Sequence, residues 1–453
     1  MILCVHQTYL HKSPRATCSV PVWIRSSTGN TPLFQLANQI GWRFFDREFG
    51  HLFVENVGRP GLPTRLVVGL HYLKYAFNES DESVVGRFLE NPYWQYFCGF
   101  EYFQHELPLD PSSLVRWRKR LGPERLEKML VQTLETAKRG KLLTQRHVEQ
   151  VNVDTTVQEK AVAFPTDARL YHKARRALVR AAKERNIDLR QNYERVGKGA
   201  LIMQGRYAHA RQLKRAKQQT RKLRILLGRV IRDIRRKCQA PDESLSRLLT
   251  ISERIFSQTR DDTHKVYSVH APEVECIAKG KAHKKYEFGC KVAMVTSSLK
   301  NWVLAIDALH GNPFDGHTLR QSLDQVKRIT GWQPLHAYCD RGYRGAGKEV
   351  TEAMVHLAGK KRKSMKPSLW RWHARRAAIE PIFGHLKSDH RLERNHLKGK
   401  EGDRMNAILA ACGFNLRKLL RAFLLFLSHR LIFAQVDQSP FQKAGPLCPV
   451  CSN

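Results

Sequence analysis

The sequence predicts a mixed α/β fold that follows an all-helical N-terminal domain and contains a long, basic helical insertion. Three observations predict it: helical periodicity over about 34–140, Val- and Thr-rich alternation beginning at "RHVEQVNVDTTV", and a charged segment from about 171 to 240. Strands that alternate with helices are typical of a sheet covered by helices. At about 150 residues per domain, the chain is long enough for about three units.

The N-terminal unit reads as a set of helices. The segment "DPSSLVRWRKRLG" begins with Asp110 as N-cap and Pro111 at the first helical position, and it ends at Gly122 as C-cap. If this unit holds a helix-turn-helix, Arg116 and Arg118 lie on or near a DNA-recognition helix, together with Lys119 and Arg120. The alternative is a solvated basic face.

The charged segment accounts for much of the basicity. Residues 171–240 contain 22 Lys and Arg against four Asp and Glu, and the whole chain has a formal net charge of +37. Leu223, Leu226, Val230 and Ile234 keep helical spacing, so the second half is an amphipathic helix. The segment is either an exposed helical hairpin or a surface for the DNA backbone, because phosphate binding needs many cations without base specificity.

The remaining elements predict the sheet. Strands are expected at "VNVDTTV", "YEFGCKVAMVTSS", "NWVLAIDALHG" and "PLHAYCD". Helices are expected at "DGHTLRQSLDQVKRIT", which ends at Gly331, and at "RWHARRAAIEPIFGHLKSDHRL". We expect a loose leader over 1–33, a helical DNA-binding domain over 34–140, a catalytic domain over 141–433 with the insertion at about 165–265, and a flexible tail over 434–453.

A membrane protein is not expected. Arg417, Lys418, Arg421 and Arg430 interrupt the apolar stretch near the C-terminus, so no uncharged run reaches the roughly 18–20 residues that a span needs. The first 30 residues lack the apolar stretch of a signal peptide. The prediction is a cytoplasmic protein. Cys448 and Cys451 form a CxxC pair without a second ligand pair, so no zinc site is predicted.

Three acids occupy positions suited to catalysis. Asp154 lies within the first strand, Asp340 ends a later strand before a Gly-rich turn, and Glu380 lies in a basic helix. A buried carboxylate is costly unless it meets a cation or a metal, so each acid taken alone is as well explained by an ion pair, such as Asp340 with Arg344 or Glu380 with Arg376. Together, carboxylates from different elements of one sheet would suit Mg²⁺, which prefers oxygen ligands.

The sequence resembles the DDE transposases of bacterial insertion sequences, in the group named after insertion sequence five. The resemblance covers about 34–433 and is carried by "VNVDTTV", "NPFDGHTL", "DRGYRG" and "RRAAIEPIFGHLKSDHRLERNHLKG". That family has a signature of Tyr, two residues, Arg, three residues, Glu, six residues and Lys. Arg376, Glu380 and Lys387 match it in identity and spacing, whereas His373 replaces the Tyr.

The resemblance implies a ribonuclease-H-like catalytic domain in which Asp154, Asp340 and Glu380 bind two Mg²⁺ ions, for which Mn²⁺ can substitute. Two such ions activate the attacking oxygen and stabilise the leaving oxygen of a phosphodiester. Arg376 and Lys387 would contact the DNA of the element ends or support the Glu, and Arg344 is a further candidate for DNA contact.

The predicted function is binding of the terminal inverted repeats of an insertion sequence, followed by strand cleavage and strand transfer into target double-stranded DNA. A homodimer is expected because two ends must be brought together. Two other classes remain open at this point: a decayed transposase that acts as a DNA-binding repressor, and a stand-alone nuclease with the same metal site.

Overall fold

The computed structural model describes residues 31–52, 61–278, 285–359 and 366–437, with side chains as far as 425. The expectations for residues 1–30 and 438–453, including Cys448 and Cys451, lie outside these ranges. In the part of the chain that is described, no helix is long and apolar enough to cross a membrane.

The N-terminal part is helical, as predicted. Its helices are α1 (Pro32–Gln39), α2 (Trp42–Phe49), α3 (Thr64–Ala76), α4 (Asp81–Glu90), α5 (Pro92–Phe97), α6 (Pro111–Arg139) and α7 (Gln145–Glu149). The Asp110 carboxylate caps α6 by accepting from the backbone N–H of Ser112. The predicted end of this helix at Gly122 is confirmed, because Gly122 leaves the helical conformation with a φ of 69°, and a second helical stretch within α6 begins at Pro123.

The strands and the later helices follow. After β1 (Gln150–Glu159), the insertion contributes α8 (Asp167–Glu184), α9 (Glu194–His209), α10 (Leu213–Lys237) and α11 (Glu243–Ser257). Then come β2 (Glu275–Ala278), β3 (Tyr286–Ser297), β4 (Val303–Leu309), α12 (Asp315–Thr330), β5 (His336–Cys339), β6 (Met354–Leu357), α13 (Pro367–Arg375), α14 (Ile379–Asp389) and α15 (Gly399–Asp437).

One predicted helix is divided in two. A 3₁₀ turn at Arg376–Ala378 separates α13 from α14. Pro381, the third residue of α14, has no N–H to donate to the carbonyl of Ala377, so a continuous α-helix would lose a hydrogen bond there. The turn places Arg376 and Glu380 on separate segments at the face of the sheet.

Among the described residues, six strands form one mixed sheet. Strand β1 is central: β3 pairs with it antiparallel on one side and β5 pairs with it parallel on the other. Strand β6 extends the sheet parallel to β5, while β2 and β4 pair antiparallel with opposite ends of β3. Helices α12, α14 and α15 pack against strands of this sheet.

Two hydrophobic clusters organise the chain. The larger cluster joins the N-terminal helices, the sheet, α12, α14 and α15. The smaller one lies within α8–α11 and includes Leu223, Val230 and Ile234. Leu226 is buried on the same helix, which confirms the amphipathic helix predicted there. The insertion therefore has its own core. It consists of four helices, whereas the sequence analysis considered a helical hairpin.

The chain leaves the sheet for the insertion after β1 and returns before β2. Lys160, which is buried directly after β1, lies 2.9 Å from Glu273 on the return segment and 2.8 Å from Asp403 on α15. The ammonium of Lys160 thus connects the start of the insertion, the segment that returns from it and α15.

Arg118 does not contact DNA in this fold, which corrects the sequence-based prediction. Its guanidinium is 1% exposed and makes two hydrogen bonds of 2.7 Å with the carboxylate of Asp81 at the start of α4. Lys74 of α3 approaches the same carboxylate at 2.7 Å. The residue falls on the inner face of α6, so its charge is used to join three helices.

Asp81→Asn should destabilise the fold by about 3 kcal/mol, because it leaves two buried cations without their anion. Burial favours the neutral acid, yet Arg118 and Lys74 outweigh it and hold the pKa of Asp81 well below its usual range. The stabilisation is therefore present above the unfolded pKa of about 3.9 and is lost as the pH falls below it. Urea unfolding at pH 7 measures the effect. The matched control is Glu90→Gln at the exposed end of α4; equal midpoints for the two variants would contradict the prediction.

Candidate active site

Two predicted catalytic acids lie side by side at the centre of the sheet. Strands β1 and β5 are parallel, and Val153 pairs with Cys339 in their register. Asp154 follows Val153 in β1, and Asp340 follows Cys339 directly after the end of β5. Residues at equivalent positions of neighbouring strands face the same side of a sheet, so both carboxylates lie on one face.

Asp154 is the more buried of the two, with 8% of its surface exposed. Its Oδ1 accepts a 2.7 Å hydrogen bond from the backbone N–H of Thr155, and its Oδ2 lies 3.5 Å from Nη1 of Arg376. The pKa of Asp154 is raised to about 6, chiefly by burial and also by the negative charges of Asp340 and Glu380, against the opposing effects of Thr155 and Arg376. The three acids therefore share one electrostatic environment.

Asp340 is positioned by the turn that follows β5. Its Oδ1 accepts a 2.7 Å hydrogen bond from the backbone N–H of Gly342, which caps the short 3₁₀ helix Arg341–Tyr343. Tyr343 anchors this turn in the core. A Cβ on Gly342 would lie 2.9 Å from Oδ1 of Asp340 and from Oδ2 of Asp315, closer than such contacts occur, so any larger residue would have to displace a carboxylate.

Glu380 approaches from a helix on the face of the sheet. It is the second residue of α14 and is exposed. The opposite side of α14 is buried through Ile379, Ile382, Phe383 and Leu386, and this helix packs on β1. The apolar side fixes the helix, and the carboxylate remains accessible beside the two aspartates.

Two positioning residues were not found by the sequence analysis. Arg375 donates 2.9 and 2.8 Å hydrogen bonds to the backbone carbonyls of Ser298 and Leu299, in the β3–β4 turn. Asn152, which is buried in β1, donates to the carbonyl of Arg375 at 3.2 Å. These bonds hold the junction of α13 and α14 over the sheet. The sequence signal that could have indicated Asn152 was a polar amide within an otherwise apolar strand.

The other predicted DNA-contacting residues occupy different surroundings. Arg376 faces Asp154, while Lys387 is partly buried seven residues beyond Glu380 on α14. Arg344 is exposed after the 3₁₀ turn, and Arg116 is exposed on α6, where it hydrogen bonds to Ser112. Arg376 is thus placed beside the acids by its contact with Asp154. Arg344 is placed near them because it ends the short turn that follows Asp340.

The insertion presents a broad cationic surface. Exposed cations on α10 include Lys214, Lys217, Arg221, Lys222 and Arg229. A cavity of about 520 Å³ lies between α9 and α10 and is lined by Tyr193, Val196, Gln218, Arg221, Lys222, Ile225, Leu226 and Arg229. Charge of one sign on a rigid helical surface suits a polyanion.

The donor set of the three acids fits a divalent cation. Carboxylate oxygens are the ligands of hard ions such as Mg²⁺. Burial is the largest cause of the raised pKa of Asp154, and the negative charges of Asp340 and Glu380 add to it, while Arg376 opposes it from the outer limit of hydrogen bonding. Asp154, Asp340 and Glu380 could therefore hold such an ion together.

A second group of possible ligands, Cys290, His310 and Asp403, occurs elsewhere in the described chain. It differs from the three acids because a buried cation, Lys160, already lies 2.8 Å from Asp403. The His310 nitrogens lie 3.4 Å from Glu275 and 3.5 Å from Asp403. Asp403 is therefore already paired with a cation, and the group adjoins the contacts of Lys160 at the base of the insertion.

Comparison with known proteins gives matches on both sides of the insertion. Residues 23–120 match the family described as "Transposase domain (DUF772)", and residues 259–416 match the family described as "Transposase DDE domain". The chain is 55% identical over 180 residues to a protein of Rhizobium meliloti described as "Uncharacterized protein ORF8 in nfe locus", covering 40% of this chain and 86% of that protein. No solved structure matches.

The matches define a class of enzyme that processes DNA, and they also identify the family. The chain belongs to the DDE transposases of insertion sequences, enzymes that cleave DNA and transfer its strands. Membership implies DNA as a partner and a requirement for divalent metal. Asp340 and Glu380 lie inside the matched DDE segment, whereas Asp154 lies between the two matched segments and is connected to them by the register of β1 with β5.

Gly342→Ala should lower the rate of DNA cleavage at least tenfold, because the new methyl group must displace the carboxylate of Asp340. Its matched control is Gly347→Ala in the next short helix, where a Cβ meets its nearest neighbour at an ordinary 3.8 Å. Single-turnover cleavage of a DNA bearing the element ends measures the rates, and circular dichroism checks the fold. Equal rates for the two variants would contradict the crowding argument.

Proposed function

We propose that this transposase binds the terminal inverted repeats of its insertion sequence, cleaves the strand at each end and joins the freed ends to target DNA. The observation that carries the proposal is the in-register placement of Asp154 and Asp340 on one face of the sheet, with Glu380 in the same electrostatic environment. Family membership supports the reaction class, and the three acids are its proposed centre.

The catalytic domain is proposed to be ribonuclease-H-like and to span 141–433, with the insertion at about 165–265 and a helical DNA-binding domain over 34–140. The sheet supports this fold: three antiparallel strands, β4, β3 and β1, continue into the parallel strands β5 and β6. The proposed acids come from β1, from the end of β5 and from a helix on the sheet face. The proposed boundary at about residue 140 divides the chain in sequence but does not separate two cores, because one hydrophobic cluster contains residues from both sides of it.

The proposed cofactor is Mg²⁺, bound as two ions by Asp154, Asp340 and Glu380, with Mn²⁺ as a substitute. When bound, the ions supply activation of the attacking oxygen and stabilisation of the leaving oxygen. The backbone N–H of Thr155 orients Oδ1 of Asp154, and the backbone N–H of Gly342 orients Oδ1 of Asp340. The second oxygen of each aspartate takes no part in these two hydrogen bonds. Arg376, beside Asp154, is positioned to neutralise a phosphate that enters the site.

The proposed reaction has two in-line steps. Water attacks the phosphorus at the element end, a new P–O bond forms, and the bond to the 3′ oxygen breaks to leave a 3′ hydroxyl. That hydroxyl then attacks a target phosphodiester and displaces another 3′ oxygen, so that each step exchanges one P–O bond for another. No covalent protein–DNA intermediate is expected.

The proposed assembly is a homodimer, since two element ends must meet in one complex. Arg344, Arg116 and the cations of α10 are the proposed DNA contacts, with Lys387 near the reacting strand. A cytoplasmic, nucleoid-associated location is proposed because the substrate is bacterial DNA.

Asp340→Asn should reduce Mg²⁺-dependent cleavage a hundredfold or more while DNA binding changes little, because loss of a metal ligand removes several kcal/mol of transition-state stabilisation. Cleavage and joining of a DNA bearing the element ends are measured beside Glu352→Gln, an exposed acid close in sequence. Cleavage without joining in the wild type would favour a nuclease. Binding without cleavage under Mg²⁺ or Mn²⁺ would favour a DNA-binding repressor.

The insertion should bind the DNA backbone through the exposed cations of α10. Replacing Arg221, Lys222 and Arg229 with Gln should make the log–log salt dependence of DNA affinity shallower by about 0.9 for each phosphate that these side chains neutralise in the wild type. Fluorescence anisotropy over a salt series measures the slope. The control replaces Arg185 and Arg235, whose charges are already paired with Asp242 and Glu253. The surface is not used for DNA if both variants keep the wild-type slope.

A further inference from the structure

A fourth carboxylate, Asp315, lies beside the proposed catalytic acids. It is the first residue of α12, at the end of the loop that follows β4. Its Oδ1 accepts a 3.1 Å hydrogen bond from the Thr155 hydroxyl and a 3.0 Å hydrogen bond from the ammonium of Lys291. Its side chain is 23% exposed, so it lies at the wall of the site and not within the core.

The contacts of Asp315 lead to both catalytic aspartates. Thr155, whose hydroxyl donates to Asp315, uses its backbone N–H to hold Asp154. Gly342, whose backbone N–H holds Asp340, lies against the other oxygen of Asp315: a Cβ on this glycine would be 2.9 Å from Asp315 Oδ2. One carboxylate therefore accepts a hydrogen bond from Thr155 and lies close to Gly342, the two residues whose amides orient the proposed metal ligands.

Lys291 distinguishes Asp315 from those ligands. It projects from β3, is 13% exposed, and also donates 2.7 Å to the carbonyl of Pro313, which fixes the loop before α12. Asp154 has a guanidinium only at 3.5 Å, whereas Asp315 has its own ammonium at 3.0 Å. A cation so close to Asp315 neutralises this carboxylate and repels a metal ion from it. Asp315 is built to hold protein groups in place.

We infer that Asp315 is a positioning residue of the strand-cleavage reaction: through Thr155 and Gly342 it sets the orientation of Asp154 and Asp340 toward the divalent metal. This inference rests on the proposed function of the two aspartates. Residues that orient metal ligands typically change metal affinity or activity by about 10–100-fold when they are removed. The loop "NPFDGHTL" thus contributes to the active site although it supplies no proposed ligand.

The test compares Asp315→Asn with Asp324→Asn, an exposed acid on the same helix. Single-turnover cleavage of a DNA bearing the element ends is measured over a Mg²⁺ series, with DNA affinity and thermal unfolding recorded for each protein. The Mg²⁺ concentration for half-maximal cleavage should rise about tenfold in Asp315→Asn, and activity should be partly recovered at high Mg²⁺. DNA affinity should stay within about twofold, a combination that a purely structural role would not produce.

Thr155 provides a second, smaller change in case Asp315→Asn does not fold. Thr155→Val removes the hydroxyl that donates to Asp315 but keeps the backbone N–H that holds Asp154, so it should shift the Mg²⁺ dependence in the same direction. Thr155→Ser restores the hydroxyl and should restore the wild-type curve. Failure of Thr155→Val to shift the curve in a folded protein would count against the inference.

Two outcomes overturn the inference. If Asp315→Asn has the same Mg²⁺ curve as Asp324→Asn, Asp315 does not position the aspartates. If Asp315→Asn is inactive at every Mg²⁺ concentration, as Asp340→Asn is expected to be, Asp315 is a ligand. The proposed function fails separately, if Asp340→Asn cleaves as well as the wild type.

Discussion

The site depends on one constraint, the parallel register of β1 with β5. Because Val153 pairs with Cys339, Asp154 and Asp340 follow at equivalent positions and project from the same face of the sheet. Bringing carboxylates together in a partly buried place is unfavourable, and the raised pKa of Asp154 reflects this cost. The surrounding structure partly offsets it with backbone N–H donors and a nearby guanidinium.

The insertion gives the protein a cationic surface in addition to the acidic site. It leaves after the central strand and has a hydrophobic core of its own, so its many cations do not need to pack into the sheet. The buried contacts of Lys160 with Glu273 and Asp403 hold its base to the sheet and to α15. The cations of the insertion are thus carried on a hydrophobic core that is separate from the core beneath the acids.

The predictable part of the structure was local. Asp110 caps its helix, the stripe through Leu223 and Val230 is buried, and the segment around Asp154 forms a strand, because capping and periodicity depend on near neighbours in the chain. Arg118 was wrong as a DNA contact, since its partner Asp81 is 37 residues away and sequence spacing does not reveal such a pair. The positioning contacts of Arg375 and Asn152 could not be predicted for the same reason.

The sequence by itself indicated the family and the three candidate acids, because a signature such as Arg376–Glu380–Lys387 is a matter of residue type and spacing. Only the tertiary structure decided which groups share the site, since that depends on strand register and helix docking. The register brings Asp154, far from the matched segment in sequence, next to Asp340. The packing of α12 against the sheet and the turn after β5 brings Asp315 to the same place, where it meets Thr155 from 160 positions earlier in the chain.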